Sequence, residues 1–444
     1  MSAPHNRLVA PGAECQRGQA ALIILLIVVI GISTLVFAVA GPAKQAIARD
    51  RATAAALAQA KDALIGYAAS YPTRPGVLPC PDTDNDGSAD SPCGALGVTA
   101  VGRLPWKTLG LTDLRDGHGE CLWYAVSANF KNSGVSAPAT LNSDSAGTLV
   151  VIDTTGSPVY SGTDAALALV FAPGSALPGQ DRASGAASVC GGNTTIANYL
   201  EGGNQNGAAT NTFVSGIANS AFNDGMLAIT SDAVFNVVNI RVAKEAITAL
   251  ENYRDTYSYY PFANAYGSAS PYNCSNGLNR GRFPITLPGC GQAAWGAALP
   301  AWFTSDNWNL VTHYALSKSC GQLGLPIVLG TDLNAIAISA CSSMGNLSAV
   351  LGLINVLLSF VGIPALTDDP VTVSGVSNNV RALIVVTGRA QAAQAHPCVS
   401  ADQCMEDAFN TDGDSVYAKP SRFPTSNDRM ALTCATSSPC GVVP

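Results

Sequence analysis

From Ala20 to Ala40 the chain carries no charged residue and is almost wholly apolar. At about 1.5 Å per residue, a helix of that length crosses a hydrocarbon core of about 30 Å. The run is longer than the apolar core of an ordinary cleaved signal peptide. The sequence therefore predicts one membrane helix that stays on the chain. Arg7 and Arg17 precede it, and Lys44, Arg49 and Arg51 follow it, so basic flanks do not orient it. Cysteine does. Of the 13 cysteines only Cys15 lies before the run. The even set beyond it suits an oxidising compartment. The expected location is the inner membrane, single-pass, with the C-terminal body in the periplasm.

That body is globular by composition. Hydrophobic residues make up 48% of the 444 residues and charged residues 12%, a balance that disfavours disorder. Net charge is −7 with no basic block, which argues against nucleic-acid binding. Four histidines and the lack of any nucleotide-binding, nucleophile-elbow or zinc-protease motif give an enzyme no positive support.

The junction before the apolar run is specific. Gln16-Arg17-Gly18 is followed directly by Gln19-Ala20-Ala21-Leu22-Ile23-Ile24. A short polar leader ending in Gly before an apolar helix resembles the class III signal of type IV prepilins and type II secretion pseudopilins. The resemblance implies cleavage by a prepilin peptidase between Gly18 and Gln19, methylation of the new N-terminus, and loss of Cys15 with the leader. It implies other pilin or pseudopilin subunits as partners, and incorporation into a pilus or pseudopilus. Major pilins carry Glu at the fifth mature position; here it is Ile23, as in minor subunits at a fibre tip. An uncleaved, membrane-anchored periplasmic binding module is the alternative.

Past the membrane, Lys44 to Tyr71 reads as an Ala-rich amphipathic helix stopped by Pro72 and Pro75. The body then shows an internal repeat. Ala60–Leu64 recurs as Ala243–Ile247, Tyr71-Pro72 as Tyr260-Pro261, and Gly102–Pro105 as Gly281–Pro284. Tyr124–Ser127 recurs as Tyr314–Ser317, Ala166–Phe171 as Arg381–Val386, and Asn223–Ala228 as Asn427–Leu432. The expected fold is α+β: a transmembrane helix extended into an amphipathic helix, then two repeated pilin-like modules, each a helix followed by antiparallel strands. The expected divisions are a leader at 1–18, the membrane helix at 19–41, and modules at 42–230 and 231–444. Ser231 or Asp232 is the expected N-cap of the second helix. Strands are expected at Gly147–Ile152, Ala166–Phe171, Met226–Thr230, Ala335–Ser339 and Arg381–Thr387. The apolar run Leu347–Ile363 reads as a buried helix or a subunit contact, being short for a span.

Asp82-Thr83-Asp84-Asn85-Asp86-Gly87-Ser88-Ala89-Asp90 resembles the first nine positions of a calcium loop. Alternate oxygens from Asp82, Asp84, Asp86, Ser88 (carbonyl) and Asp90 would converge on a hard cation, with Gly87 allowing the sharp turn. Position twelve is Cys93 rather than a bidentate Glu, so an acidic solvated turn is the other reading. Calcium sites occur in pseudopilins, so the resemblance favours Ca2+ as the candidate ion. Six disulfides between sequence neighbours are expected: Cys80–Cys93, Cys121–Cys190, Cys274–Cys290, Cys320–Cys341, Cys398–Cys404 and Cys434–Cys440. Spacing alone does not fix connectivity. His118 and Glu120 read as part of a turn, and the five tryptophans as core anchors.

Overall fold

The structure is a computed structural model. It describes residues 14–95, 97–132, 140–183, 190, 192–267, 279–285, 294–295, 299–321, 327–342, 347–362, 365, 370–391, 394–420, 426–434 and 442–443. The first element, helix α1, runs without a break over Glu14–Ser70. Its described side chains are those of 22–30 and 43–70. The C-terminal part buries Ala56, Ala60, Leu64 and Ala68, one side chain per turn on one face. The described apolar side chains of Leu22 to Ile30 are all exposed, between 49% and 67%. Among the described residues no helix is long and apolar enough to cross a membrane. Most side chains of the predicted span lie outside the described residues.

Four antiparallel strands follow α1: β1 (Ala100–Arg103), β2 (Trp123–Val126), β5 (Ala168–Ala172) and β7 (Gly225–Ile229), in the sheet order β1-β2-β5-β7. A small second sheet, β3 (Val150–Asp153), β4 (Pro158–Tyr160) and β6 (Thr212–Ser215), covers its outer face through Val151 and Phe213, with Tyr199 from the loop between β5 and β6. A one-turn helix, α2 (Gly207–Thr210), leads into β6. Helix α3 (Ser231–Tyr257) starts immediately after β7. Its N-cap is Thr230, whose hydroxyl accepts from the Ala233 amide, not Ser231 or Asp232. Ser231 instead donates to the Ser145 carbonyl and is buried.

After α3 come β8 (Arg280–Arg282), the short α4 (Ala301–Ser305), β9 (Thr312–Leu316), β13 (Ser377–Val386) and β15 (Arg429–Cys434). These strands too are antiparallel and neighbour one another in chain order. Several of the matched segments hold corresponding register positions in the two sheets. Gly102, Tyr124, Val170 and Leu227 are successive cross-strand partners. In the second sheet the succession is Gly281, Tyr314, Ile384 and Ala431. Tyr124 donates to the Pro79 carbonyl, and Tyr314 to that of Pro261. Asn223 donates to the Ser175 carbonyl at 2.7 Å, and Asn427 to that of Arg389 at 3.0 Å. One matched segment shifts: Val170 corresponds to Ile384, not Val385. Both β5 and the paired part of β13 are buried on both faces, so no in-out alternation marks their register.

The two halves share one core. The inner faces of both sheets and the helices α1 and α3 contribute to a single cluster that includes Leu64, Val170, Val242, Trp308 and Ile384. Phe235 of α3 packs between Phe130 and Trp308. Arg241 donates to the Ala69 and Tyr71 carbonyls at 2.8 and 2.6 Å. Between β9 and β13 the second half carries an insertion. A tight hairpin, β10 (Ile327–Val328) and β11 (Thr331–Asp332), leads into α5 (Leu333–Ser342) and α6 (Leu347–Phe360). The expected strand Ala335–Ser339 is therefore helical. Asp332 accepts from the Ala335 amide, and Leu333 and Ile336 pack on Ile354 and Leu358 of α6. Those contacts outweigh the Ala-Ile alternation. Within the Leu347–Ile363 run, Leu347–Phe360 is a helix as expected, and of its described side chains only those on one face are covered.

Four expected disulfides are formed: Cys80–Cys93, Cys121–Cys190, Cys320–Cys341 and Cys398–Cys404. Cys434 is also disulfide-bonded. Cys274, Cys290 and Cys440 lie outside the described residues.

Candidate functional site

The acidic loop begins where the Asp82 backbone pairs with Arg103 at the edge of β1. Asp82 is 1% exposed. One of its carboxylate oxygens accepts from the Asn85 and Asp86 amides at 2.6 and 3.2 Å, the other from the Gly87 amide at 2.7 Å. Gly87 has φ +89°, and a Cβ there would lie 2.7 Å from the Trp106 ring, so only glycine fits. Asp86 accepts from the Ser88 amide, and Lys107 donates to the Asp86 carbonyl. Burial pushes the Asp82 carboxyl up, against the pull of the three backbone donors, while the Ser88 donors hold Asp86 down. Carboxylate oxygens of Asp82, Asp84 and Asp86 lie within 4.8 Å of one another. That is a donor set suited to a hard cation. Asp90 is turned away from it and accepts from the amide and hydroxyl of Thr83, both at 2.6 Å. The fold thus brings together three of the four expected carboxylates, inside a loop closed by Cys80–Cys93.

Asp113, Cys121 and Cys190 are also close together, but both sulfurs are in the disulfide and are not available as thiolates. His118 and Glu120 lie in a turn, as expected: Asp116 accepts from both of their amides. His313, at the repeat position of Trp123, is buried between Tyr266 and Tyr417 and bonded to both. Burial pushes its pKa down to about 3, so it is neutral packing.

Two arrangements were not foreseen. The first is a cleft of about 550 Å³ lined from both halves, by Asp144 and Asp164 on one side and by Asp232, Arg389, His396 and Asn427 on the other. Arg389 pairs with Asp164 at 2.6 Å and Asp232 at 3.5 Å. His396 Nδ1 is held by Asp144, and its buried Nε2 has no hydrogen-bond partner among the described residues. A carboxylate holding one ring nitrogen leaves the other as an acceptor. The second is a buried aspartate set against a glutamate in each half. Asp224, just before β7, is 4% exposed and lies against Glu201. Asp428, just before β15, is 2% exposed and lies against Glu406. The Asn-Asp dipeptides are visible in the repeat. Their acidic partners are on loops that the repeat does not align.

Gly18 and Gln19 fall within the helical backbone of α1, and their side chains are not among those described. No family model, curated protein or solved structure matches the chain.

Proposed function

We propose that the chain is a large minor subunit of a type IV pilus or type II secretion pseudopilus, held in the inner membrane by residues 19–41 until assembly. The observation that carries this is α1. One continuous helix buries its C-terminal part in an α+β body and leaves Leu22 to Ile30 uncovered, as a subunit stored in a bilayer and then packed into a fibre core requires. The Arg17-Gly18-Gln19 junction and the matched strand order of the two halves support it, the latter as two pilin-like modules at 42–230 and 231–444. A body of this bulk fits best at a tip, which agrees with Ile23 in place of Glu. Its role is assembly, not catalysis. Intact-mass measurement of the protein from its native membrane is expected to give an N-terminus at Gln19 that depends on the prepilin peptidase. A chain retaining Met1 to Gly18 with and without the peptidase would end the pilin reading. The polar cleft around His396 favours the second reading, an uncleaved anchored binding module.

In either case the Asp82–Asp86 cluster is proposed to hold calcium. Without the bidentate Glu, affinity is expected in the weak extracellular class, Kd about 10⁻⁴–10⁻³ M. Millimolar Ca2+ should raise the melting temperature, and Asp84→Asn should abolish the rise with little effect on the metal-free protein. An unchanged melting temperature would leave the loop a plain acidic turn.

A further inference from the structure

Helix α6 is apolar on both faces. Leu351, Ile354 and Leu358 are buried, the last two against Leu333 of α5 and Val328 of β10, whereas Leu353, Val356 and Phe360 are 54%, 55% and 69% exposed. Ile327, Leu329 and Val361, near the two ends of the same hairpin, are 71%, 82% and 49% exposed. From Leu333 to Thr367 the sequence contains no charged residue. A docking face for another protein carries a polar, charged rim around an apolar centre. Along the hairpin the polar side chains are neutral ones such as Asn355 and Ser359, so no charge is present to select a protein partner. A 14-residue apolar helix is too short to span a bilayer but suits a re-entrant or interfacial segment, and as a helix it satisfies its own backbone.

Its place in the molecule is also defined. Lys61 of α1 and Asn236 of α3 line one cavity, and Ala69 and Tyr71 bond Arg241, so α3 follows α1 in the same direction. From Arg241, α3 runs on to Tyr257, roughly 24 Å further from the N-terminal end of α1. There the Tyr260 amide bonds the Cys320 carbonyl, and Cys320–Cys341 ties α5 to that end. Arg381 donates to the Cys341 carbonyl from β13 and fixes the same corner.

We infer that the α5–α6 hairpin is a lipid-docking element at the end of the body opposite the α1 anchor, built to enter the acyl region of a second bilayer. The position relative to a membrane rests on the anchored reading of α1; the apolar hairpin does not. The test uses the full chain, inserted through α1 into nanodiscs of ordinary lipid and then mixed with zwitterionic vesicles carrying brominated acyl chains. The reporter is the indole introduced by Phe360→Trp, read as the difference from the unsubstituted chain. Its emission is expected to shift to the blue and lose most of its intensity to the brominated lipid, while the ring becomes inaccessible to acrylamide. Leu353→Asp with Val356→Asp should abolish vesicle capture and leave nanodisc insertion unchanged. A reporter indole that stays open to acrylamide in the presence of vesicles overturns the inference. So does protection from both quenchers that grows with protein concentration, which would assign the face to a second copy. Failure of the chain to enter nanodiscs at all would count against the α1 anchor instead.

Discussion

Replacing Asp306 with alanine is expected to destabilise the folded chain by about 3–5 kcal/mol. Asp306 belongs to the second half, yet among the described residues the donors to its carboxylate come from the first. Arg74 reaches it through Nε at 3.1 Å and Nη2 at 2.8 Å, and the Leu141 amide donates at 2.9 Å. Asn142 adds a bond to the Asp306 carbonyl at 3.0 Å. The carboxylate is 5% exposed and the guanidinium 16%, so solvent screens the pair little. Alanine strips a buried amide and a partly buried guanidinium of one shared acceptor, and leaving such groups without it costs more than the intact pair contributes. Trp308 is fully buried two residues on, against Phe235, so the loss falls at the seam where the halves share their core. Denaturant unfolding followed by tryptophan emission measures it. Arg74→Ala should cost less, and the double substitution should fall well short of the sum, because both remove one interaction. An Asp306→Ala midpoint within about 0.5 kcal/mol of the unsubstituted chain, on the scale of ordinary surface changes, would mean that the seam is held by apolar packing alone.

The α+β class, the helices at Lys44–Tyr71 and after Thr230, and the strands at Gly147–Ile152, Ala166–Phe171, Met226–Thr230 and Arg381–Thr387 were legible in the sequence. All of these depend on local signals: propensity, caps, prolines and short matched segments. The failures have physical causes. Ala166–Phe171 was aligned one residue off because strands buried on both faces lack alternation. Ala335–Ser339 alternates like a strand, but Asp332 caps it and α6 covers it as a helix. Asp90 is placed like a ligand in the loop, yet Thr83 captures it first. His396 and Asp144 are 252 residues apart on loops, and no periodicity or motif links them. The same holds for Glu201 and Asp224, whose contact exists only once β7 and the preceding loop are folded together.

That last contact sets a pH dependence. Asp224 is pushed up to about 8, first by burial and then by the adjacent Glu201 carboxyl, against the donations of Asn204 and the Glu201 amide. Asp428, in the second half, is raised well above its ordinary value by burial and by Glu406. A raised carboxyl means that the native state holds a proton that the unfolded chain gives up. Between the ordinary carboxylate range and about 8 the native state is therefore the better proton binder. Its stability is fully present at acid pH and is lost as pH rises through about 8. The Asp224 contribution is on the order of 3–5 kcal/mol over that range. Unfolding midpoints are expected to fall between about pH 5 and about pH 9, opposite to the acid lability of proteins held by salt-bridged carboxylates. Asp224→Asn separates this from other titrations. Its amide oxygen can accept from the Glu201 amide and Asn204 as the acid does, and its NH₂ can donate to the Glu201 carboxyl without a titrating proton. The variant should match the unsubstituted chain near pH 5, exceed its stability near pH 9, and show a shallower slope between. A slope unchanged by Asp224→Asn would place the titration elsewhere, with Asp428→Asn the next variant to separate the two pairs. A slope removed by Asp224→Asn alone would make the first half the alkaline weak point of a body whose two halves share one core.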